Sequence, residues 1–436
     1  MTTLSIQDAR QVTGGDVAIV DGSTYRFETV ADHVRLLASG IRAAVRDGER
    51  AALVGHPRVD TILRALAAIE LGVPLVMLHP RWTQTERERF RVLHNATPID
   101  DVEPATAVVP LGAPIDPDTT LAIFATSGSS GAPKGVAISR GAFIAAARAS
   151  AANLGWRPQD RWHLDLPLAH VGGFSILVRC LLARRAVTLG PLEAIDTLGA
   201  SIISVVPTQL ERLLREHTTL PKSLRALLLG GASAPRILLQ EAASRGWPVL
   251  TTYGLTEACA QVATQRFGTP VDPDGGVGHP LPGVDVRIEN DEILVRGPTL
   301  MSGYTTGEPS PIVDGWLHTR DAGWLDDEGR LHVLGRRDGV LVTGGENVHP
   351  FEVEEALRAL AGVDDAVVFG VDDPTWGTQI VAALIGRRPA RGELAELARF
   401  KHPRRIAMVE TFATNATGKI DRAAVAKDAT PRLEVW

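Results

Sequence analysis

A chain of 436 residues with 44% apolar and 22% charged side chains has the composition of a folded globular protein of about two or three domains. Its net charge of −6 argues against non-specific nucleic-acid binding. Its two cysteines, Cys180 and Cys259, cannot build a metal cluster by themselves. The most apolar long stretch, residues 61–79, is interrupted by Arg64 and Glu70, too polar for a membrane span. The first ten residues lack a charged start followed by an apolar core, so no signal peptide is read and a cytoplasmic location is expected.

Taken in order, residues 17–21 and 51–55 read as short strands, residues 29–45 and 58–71 as helices, and residues 74–78 as a buried strand. That alternation predicts an α/β unit with a mainly parallel sheet. A charged helix follows at 81–93, then a proline-rich connector over 100–120. The apolar run Leu121 to Ala125 reads as a buried strand, and an Ala-rich stretch from Gly141 to Leu154 reads as a helix with Ser139 as its N-cap.

Between them lies Thr126-Ser127-Gly128-Ser129-Ser130-Gly131-Ala132-Pro133-Lys134-Gly135. Glycine lets a backbone bend sharply and approach a ligand, and successive main-chain N–H groups form an anion site. The hydroxyls of Thr126, Ser127, Ser129 and Ser130 add donors, and Lys134 adds charge. A Gly/Ser loop is often only a flexible turn. A Walker loop would need Lys followed by Ser or Thr, whereas here Gly135 follows Lys134.

The alternation then resumes. Residues 162–166, 186–189, 201–206, 224–229 and 248–252 read as strands, and 174–183, 208–216 and the stretch after Pro235 as helices. In such sheets ligands sit at the carboxyl ends of strands. The glycine loop, the turn Gly230-Gly231-Ala232-Ser233 and the turn Tyr253-Gly254-Leu255-Thr256-Glu257 all follow strands, so they are expected at one crevice. From Val277 the texture changes to short strands with turns, an antiparallel β region over 284–297 and 317–335. After Arg336 it changes again. A helix at 351–360, strands at 366–371 and 379–384 and a helix at 392–400 suggest a small α+β domain of about 100 residues.

Several side chains suit phosphoryl chemistry. Tyr253, beside Gly254, can lie against a planar base. Thr256 can donate to a phosphate, and Glu257 suits magnesium, which prefers oxygen ligands and keeps several waters. A turn with a surface glutamate is the plainer reading. Asp321 could accept both hydroxyls of a ribose, with Arg336 nearby, although an isolated surface ion pair is the commoner case. His170, after a strand and before a glycine pair, is either structural or lines an acyl pocket. Lys419, following Thr417-Gly418, is either a solvated tail lysine or a group that reaches the main crevice.

In this order and spacing, these pieces resemble the adenylate-forming superfamily of acyl-CoA ligases, adenylation domains and luciferase-like enzymes. The resemblance covers the chain from Leu121 to Arg422. It implies a large N-terminal domain of packed α/β sheets with a β subdomain, residues 1–337, and a small mobile α+β C-terminal domain, residues 338–436. It also implies ATP, Mg2+ and coenzyme A as reactants, with a small-molecule carboxylate as the acid. By that resemblance Thr126 to Lys134 hold the β- and γ-phosphates, Thr256 the α-phosphate and Glu257 magnesium. Gly231, Ala232, Ser233 and Tyr253 flank adenine, Gly254 belongs to the ATP-binding set, and Asp321 and Arg336 bind ribose. Lys419 bridges carboxylate and nucleotide. The small domain then turns about Asp338 to bring Gly344 and Gly345 to the thiol. The segments 167–177, 204–214, 224–235 and 253–264 are similar to those of 2-succinylbenzoate–CoA ligases of menaquinone biosynthesis, which place His170 in the substrate pocket. Another aromatic or short acid, a carrier-protein thiol in place of coenzyme A, and a nucleotide sensor that kept the fold remain alternatives. Oligomeric state stays open, a homo-oligomer included. Three departures stand out: Arg320 where the family usually has glycine, Gly339 for a frequent aspartate, and Phe412-Ala413-Thr414 for a usual Leu-Pro-Arg.

Overall fold

Aliphatic runs punctuated by glycine and proline form four sheets in the computed structural model. It describes residues 3–107, 109–111, 115–126, 133–217, 219–232, 234–273, 276–343, 346–373, 376–394, 397–414 and 420–436, leaving aside the side chains of Asp338 and Asn347.

The first sheet has nine strands. Six run parallel, in the spatial order Val249–Tyr253, Ala226–Leu229, Ile202–Val205, Arg161–His163, Ala186–Thr188, Val17–Asp21. Antiparallel strands finish both edges. The second sheet carries the parallel strands Ala96–Pro98, Arg50–Val54, Leu75–Leu78 and Thr120–Thr126, then Lys134–Ser139 and Gly303–Tyr304 antiparallel. The early α/β unit is therefore divided. Val17–Asp21 joins the first sheet, whereas Arg50–Val54 and Leu75–Leu78 join the second.

Side-chain alternation explains the layering. Leu75 and Met77 face one core while Val76 and Leu78 face another. Leu228 and Leu250 point inward, and Leu227, Leu229 and Val249 point outward. The inner core takes its helices, Phe27–Ala44, Val59–Leu71, Arg140–Leu154 and Val171–Ala183, from between the two sheets. Helices Pro207–Glu216 and Arg236–Ser244 cover the outer face of the first sheet, and Phe90 of Gln84–Leu93 covers that of the second. The resulting order of layers is helix, sheet, helix, sheet, helix. Ser139 caps its helix as expected, its hydroxyl accepting from Ala142 N at 3.1 Å. Thr83 and Glu86 form a capping box on Gln84–Leu93.

The third sheet is antiparallel and includes Asp285–Glu289, Glu292–Arg296, Trp316–Leu325 and Leu331–Arg336. The fourth belongs to the small C-terminal domain. There the paired strands Val363–Asp373 and Gly377–Gly386 pack against helix Pro350–Arg358. The helix expected over 392–400 is absent among the described residues. Two 3-10 turns, Arg391–Leu394 and Arg399–Lys401, stand there instead, separated by Ala398 in extended geometry (φ −58°, ψ 137°). Leu394 is buried and Leu397 packs on the same core; their three-residue spacing suits a 3-10 turn as well as an α-helix. Among the described residues no helix is long and apolar enough to cross a membrane.

Candidate active site

The carboxyl ends of two neighbouring parallel strands set the floor. Gly230 follows Ala226–Leu229, and a Cβ placed on it would sit 2.7 Å from Thr252 Cγ2 of the next strand. Gly231 has φ +77°, a left-handed conformation that suits glycine. Ala232 beside it is exposed. At Gly254 the constraint is close approach. A Cβ there would overlap the Ala260 carbonyl oxygen and lie 2.5 Å from its carbon. The chain closes on itself because Thr256–Ala258 is a 3-10 turn, followed by Cys259 (φ 54°) and Ala260 (φ 81°), both left-handed without being glycine. Such strain persists only where surrounding contacts over-determine it.

This turn holds Thr256 and Glu257 against the second sheet. Met301 N donates to Glu257 O at 2.8 Å, and Ser302 N donates to Ala137 O at 2.8 Å. The short strand Gly303–Tyr304 then pairs with Lys134–Ser139. Tyr304 is the junction. Its hydroxyl donates to Glu257 Oε1 at 3.1 Å, while Lys134 Nζ stands 5.0 Å from its ring centroid. Burial and the nearby Glu257 charge push the Tyr304 phenol well above its ordinary pKa, keeping it a donor. A cation suited to phosphates and a carboxylate suited to magnesium are thus brought together from two sheets. Glu257 is half-buried, and its Oε1 accepts from the Tyr304 hydroxyl, with no bond to Oε2 found among the described residues. Among the described residues no group of three or more His, Cys, Asp or Glu side chains is poised for a metal. A magnesium ion that keeps its waters and phosphate oxygens needs only one or two carboxylates, so Glu257 fits it.

On the other side of Tyr253 lies the third sheet. The Tyr253 hydroxyl donates to Asp321 Oδ2 at 2.5 Å. Burial pushes this phenol well above its ordinary pKa, and the Asp321 charge adds to that. Asp321 and Arg336 are register partners on antiparallel strands, with Nη1 3.4 Å from Oδ1. The ion pair weighed from the sequence is present. It is long, and the Arg336 side chain is 53% exposed, so it contributes little to stability and leaves Arg336 accessible.

Asp321 sits in a bulge. Glu292 pairs with Ala322 and Leu294 with His318, so one residue faces three. Bulges re-aim side chains. Arg320 lies in this bulge at φ 61°. A left-handed non-glycine residue costs about 1–2 kcal/mol, which accounts for the glycine usual there. Glu292 offsets that cost, with Oε1 accepting from Arg320 N at 2.8 Å.

The loop 166–170, which carries His170, meets the second sheet. Leu168 N donates to Gly55 O at 2.9 Å, and a Cβ on Gly55 would lie 2.9 Å from the Leu168 carbonyl carbon. His170 is the N-cap residue of Val171–Ala183, with its ring 5.0 Å from that of buried His79 in an edge arrangement. Burial lowers the His79 pKa, and Arg81 and Arg87 lower it further. On the same helix as His170 lies Arg179, 4% exposed, its Cζ 5.2 Å from the Trp162 centroid. Its Nε and Nη2 have no hydrogen-bond partner among the described residues, nor has Ser175 Oγ one helical turn earlier. Burial lowers the Arg179 pKa to about 10. Burying guanidinium nitrogens without hydrogen-bond partners is costly.

Thr126 and Lys134 are register partners where their two strands are joined by residues 127–133. Ser127, Gly128, Ser129, Ser130, Gly131, Ser233, Gly344, Gly345 and Lys419 lie outside the described residues, as does the Asp338 side chain. Asp338 itself falls in the 3-10 turn Arg337–Gly339, and Thr414 and Ile420 form an isolated bridge on either side of the Lys419 segment. The small domain meets the floor directly: Arg236 N donates to Glu355 Oε2 at 3.1 Å. Sequence reasoning missed Tyr304, Glu292, His79 and Arg179. The only signal was a tyrosine after Ser302-Gly303 and an arginine inside an apolar helix.

Residues 92–305 match the AMP-binding enzyme family, and residues 352–419 match its C-terminal domain. The chain belongs to the AMP-binding enzyme family. It is 33% identical to a 2-succinylbenzoate–CoA ligase of Bacillus pumilus, over 94% of this chain and 95% of that one. The o-succinylbenzoate CoA synthetase of Bacillus subtilis, solved with its acyl-adenylate intermediate, superposes with a TM-score of 0.89 at 31% identity, covering 96% of each chain. The same enzyme with ATP and magnesium gives 0.88 at 31% identity, covering 96% of this chain and 98% of that one. The large N-terminal domain and small C-terminal domain expected from the sequence are therefore those of this AMP-binding family.

Proposed function

We propose that this enzyme joins 2-succinylbenzoate to coenzyme A through an acyl-adenylate, as a cytoplasmic step of menaquinone biosynthesis. It is an AMP-forming acid–CoA ligase, and its reactants are ATP with magnesium, coenzyme A and a carboxylate. In the first step a carboxylate oxygen attacks the α-phosphorus and pyrophosphate leaves. In the second a thiol sulfur attacks the acyl carbon and AMP leaves. The first step brings two anions together, so fixed donors and cations at the phosphates dominate its rate. The observation that carries the reading is the junction at Tyr304, which holds Lys134 on its ring and Glu257 on its hydroxyl.

Around that junction the nucleotide roles follow. Thr126 to Lys134 take the β- and γ-phosphates, Thr256 the α-phosphate and Glu257 the magnesium. Tyr253, with Gly231 to Ser233, flanks the adenine, Gly254 belongs to the ATP-binding set, and Asp321 and Arg336 take the ribose. His170 lines the acyl pocket. The chain divides into residues 1–337 and 338–436, and Asp338 is the hinge. Lys419 serves the first step, and Gly344 with Gly345 the second. A hinge needs only a few residues able to change φ/ψ, and the isolated turn Arg337–Gly339 between two sheets supports that place for it.

The choice of a diacid rests on the relatives and on Arg179. Arg179, whose Nε and Nη2 have no hydrogen-bond partner among the described residues, would give the second carboxylate of a keto-diacid a counter-charge on the helix that His170 begins. The test is a panel of carboxylates scored by AMP release with and without coenzyme A. 2-Succinylbenzoate should turn over best, and only with the thiol present. A different best acid would overturn the substrate, and release indifferent to coenzyme A would overturn the thiol. Arg179→Met should raise the KM of the diacid by about tenfold or more and that of benzoate by much less. Equal effects on both would remove Arg179 from the pocket.

A further inference from the structure

Glu292 takes no part in any step above, yet it is 8% exposed and three groups converge on its carboxylate. Oε1 accepts the Arg320 backbone N–H at 2.8 Å. Oε2 accepts from Arg337 Nη1 at 2.8 Å and lies 3.4 Å from His318 Nδ1. Arg320 is the residue before Asp321, and Arg337 is the residue after Arg336. One buried carboxylate therefore clasps the outer neighbour of each member of the Asp321–Arg336 pair.

The backbone makes that grip consequential. Arg320 is left-handed at φ 61° inside a bulge whose hydrogen-bond ladder is broken. A non-glycine residue in that conformation returns to an ordinary region unless something holds it. Within the bulge, Thr319 Oγ1 donates to Ile293 O at 2.7 Å and accepts from Asp321 N at 3.0 Å. Only Glu292 holds the Arg320 N–H among the described residues. If Arg320 relaxed, the next residue, Asp321, would turn away from the Tyr253 hydroxyl and from whatever lies beside it.

We propose that Glu292 is a positioning residue for nucleotide binding, fixing the left-handed Arg320 so that Asp321 faces the ribose. This rests on Asp321 being the ribose ligand. Removing Glu292 should weaken ATP without touching the acid or the thiol, whose contacts lie elsewhere.

The experiment measures KM for ATP, acid and coenzyme A in Glu292→Ala and Glu292→Gln, each with and without Arg320→Gly. Losing a charge-assisted hydrogen bond predicts about a tenfold rise in KM for ATP in Glu292→Ala, with the other two constants held within about twofold. Glu292→Gln keeps an oxygen for the Arg320 N–H and should lose less. Arg320→Gly removes the strain, so adding it to Glu292→Ala should restore most of the ATP affinity. An unchanged KM for ATP, a parallel rise in all three constants, or no rescue by glycine overturns the proposal. If Glu292→Ala alone does not fold, Glu292→Ala with Arg320→Gly decides it: a KM for ATP close to that of Arg320→Gly alone supports the proposal, and one about tenfold higher overturns it. Asp321→Asn separates the two levels. If it leaves KM for ATP unchanged, the ribose role falls; if it raises KM while the Glu292 variants do not, only the positioning role falls.

Discussion

Replacing Gly254 with alanine tests the tightest point of the site. The added methyl would overlap the Ala260 carbonyl oxygen and lie 2.5 Å from its carbon and 3.0 Å from Gln261 Cα. Carbon atoms rest at about 3.5–4.0 Å, so the backbone across the turn must retreat by at least about 1 Å, and the overlapping oxygen by more. The obstacle is main chain rather than a flexible side chain, which puts the cost at the upper end of about 1–3 kcal/mol for overpacking. The displacement falls on the turn carrying Thr256 and Glu257. A misplacement of that size lowers kcat/KM by roughly 100-fold. Acid-dependent ATP–pyrophosphate exchange reads the loss, and thermal unfolding reads the strain. Magnesium affinity should fall with the exchange rate, since Glu257 moves with the turn. A Gly254→Ala enzyme with full exchange and an unshifted melting point would refute the close approach and the role given to the turn.

Three further outcomes are expected. Lys419→Ala should abolish adenylation yet spare thioester formation from supplied acyl-adenylate; equal loss of both half-reactions would contradict its role. Glu257→Gln should raise the magnesium concentration needed for half-maximal exchange, and an unchanged requirement would remove it as a ligand. His163 is buried, and burial lowers its pKa from 6.5 to about 4. The unfolded chain then binds a proton that the folded chain refuses, so stability falls as pH drops from about 6.5 to 4, by up to about 3 kcal/mol. Urea midpoints measured across that window should flatten in His163→Phe, and an unaltered slope would rule the residue out.

Local signals in the chain carried most of the architecture. Helix Val59–Leu71 ends at Gly72, in left-handed geometry at φ 70°, and the sequence reading stopped it at Leu71. Strand Leu75–Leu78 is buried at every position, as a continuous aliphatic run between helices implies. Pairing partners were another matter. Val17–Asp21 and Arg50–Val54 look alike in sequence, yet they join different sheets, because partner choice depends on packing across the whole domain. Over 392–400, where a helix was expected, the described residues form two 3-10 turns, Arg391–Leu394 and Arg399–Lys401.

The site divides along the same line. Motifs built from neighbours, such as Tyr253 to Glu257, were legible because glycine, hydroxyl and carboxylate stand together in sequence. Tyr304 was not, because its meaning comes from Lys134, 170 positions earlier, and Glu257, 47 positions earlier. Glu292 and Arg320 make the sharper case. In sequence, Arg320 was a departure from the glycine usual there. In the fold it adopts the backbone conformation that glycine favours, and a glutamate 28 positions earlier supplies the hydrogen bond that keeps it there. The same carboxylate also reaches Arg337, beside the proposed hinge residue Asp338. A substitution that looks like the loss of a conformational requirement is therefore the same requirement met by a side chain from the neighbouring strand. Glycine at 320 would need no such partner.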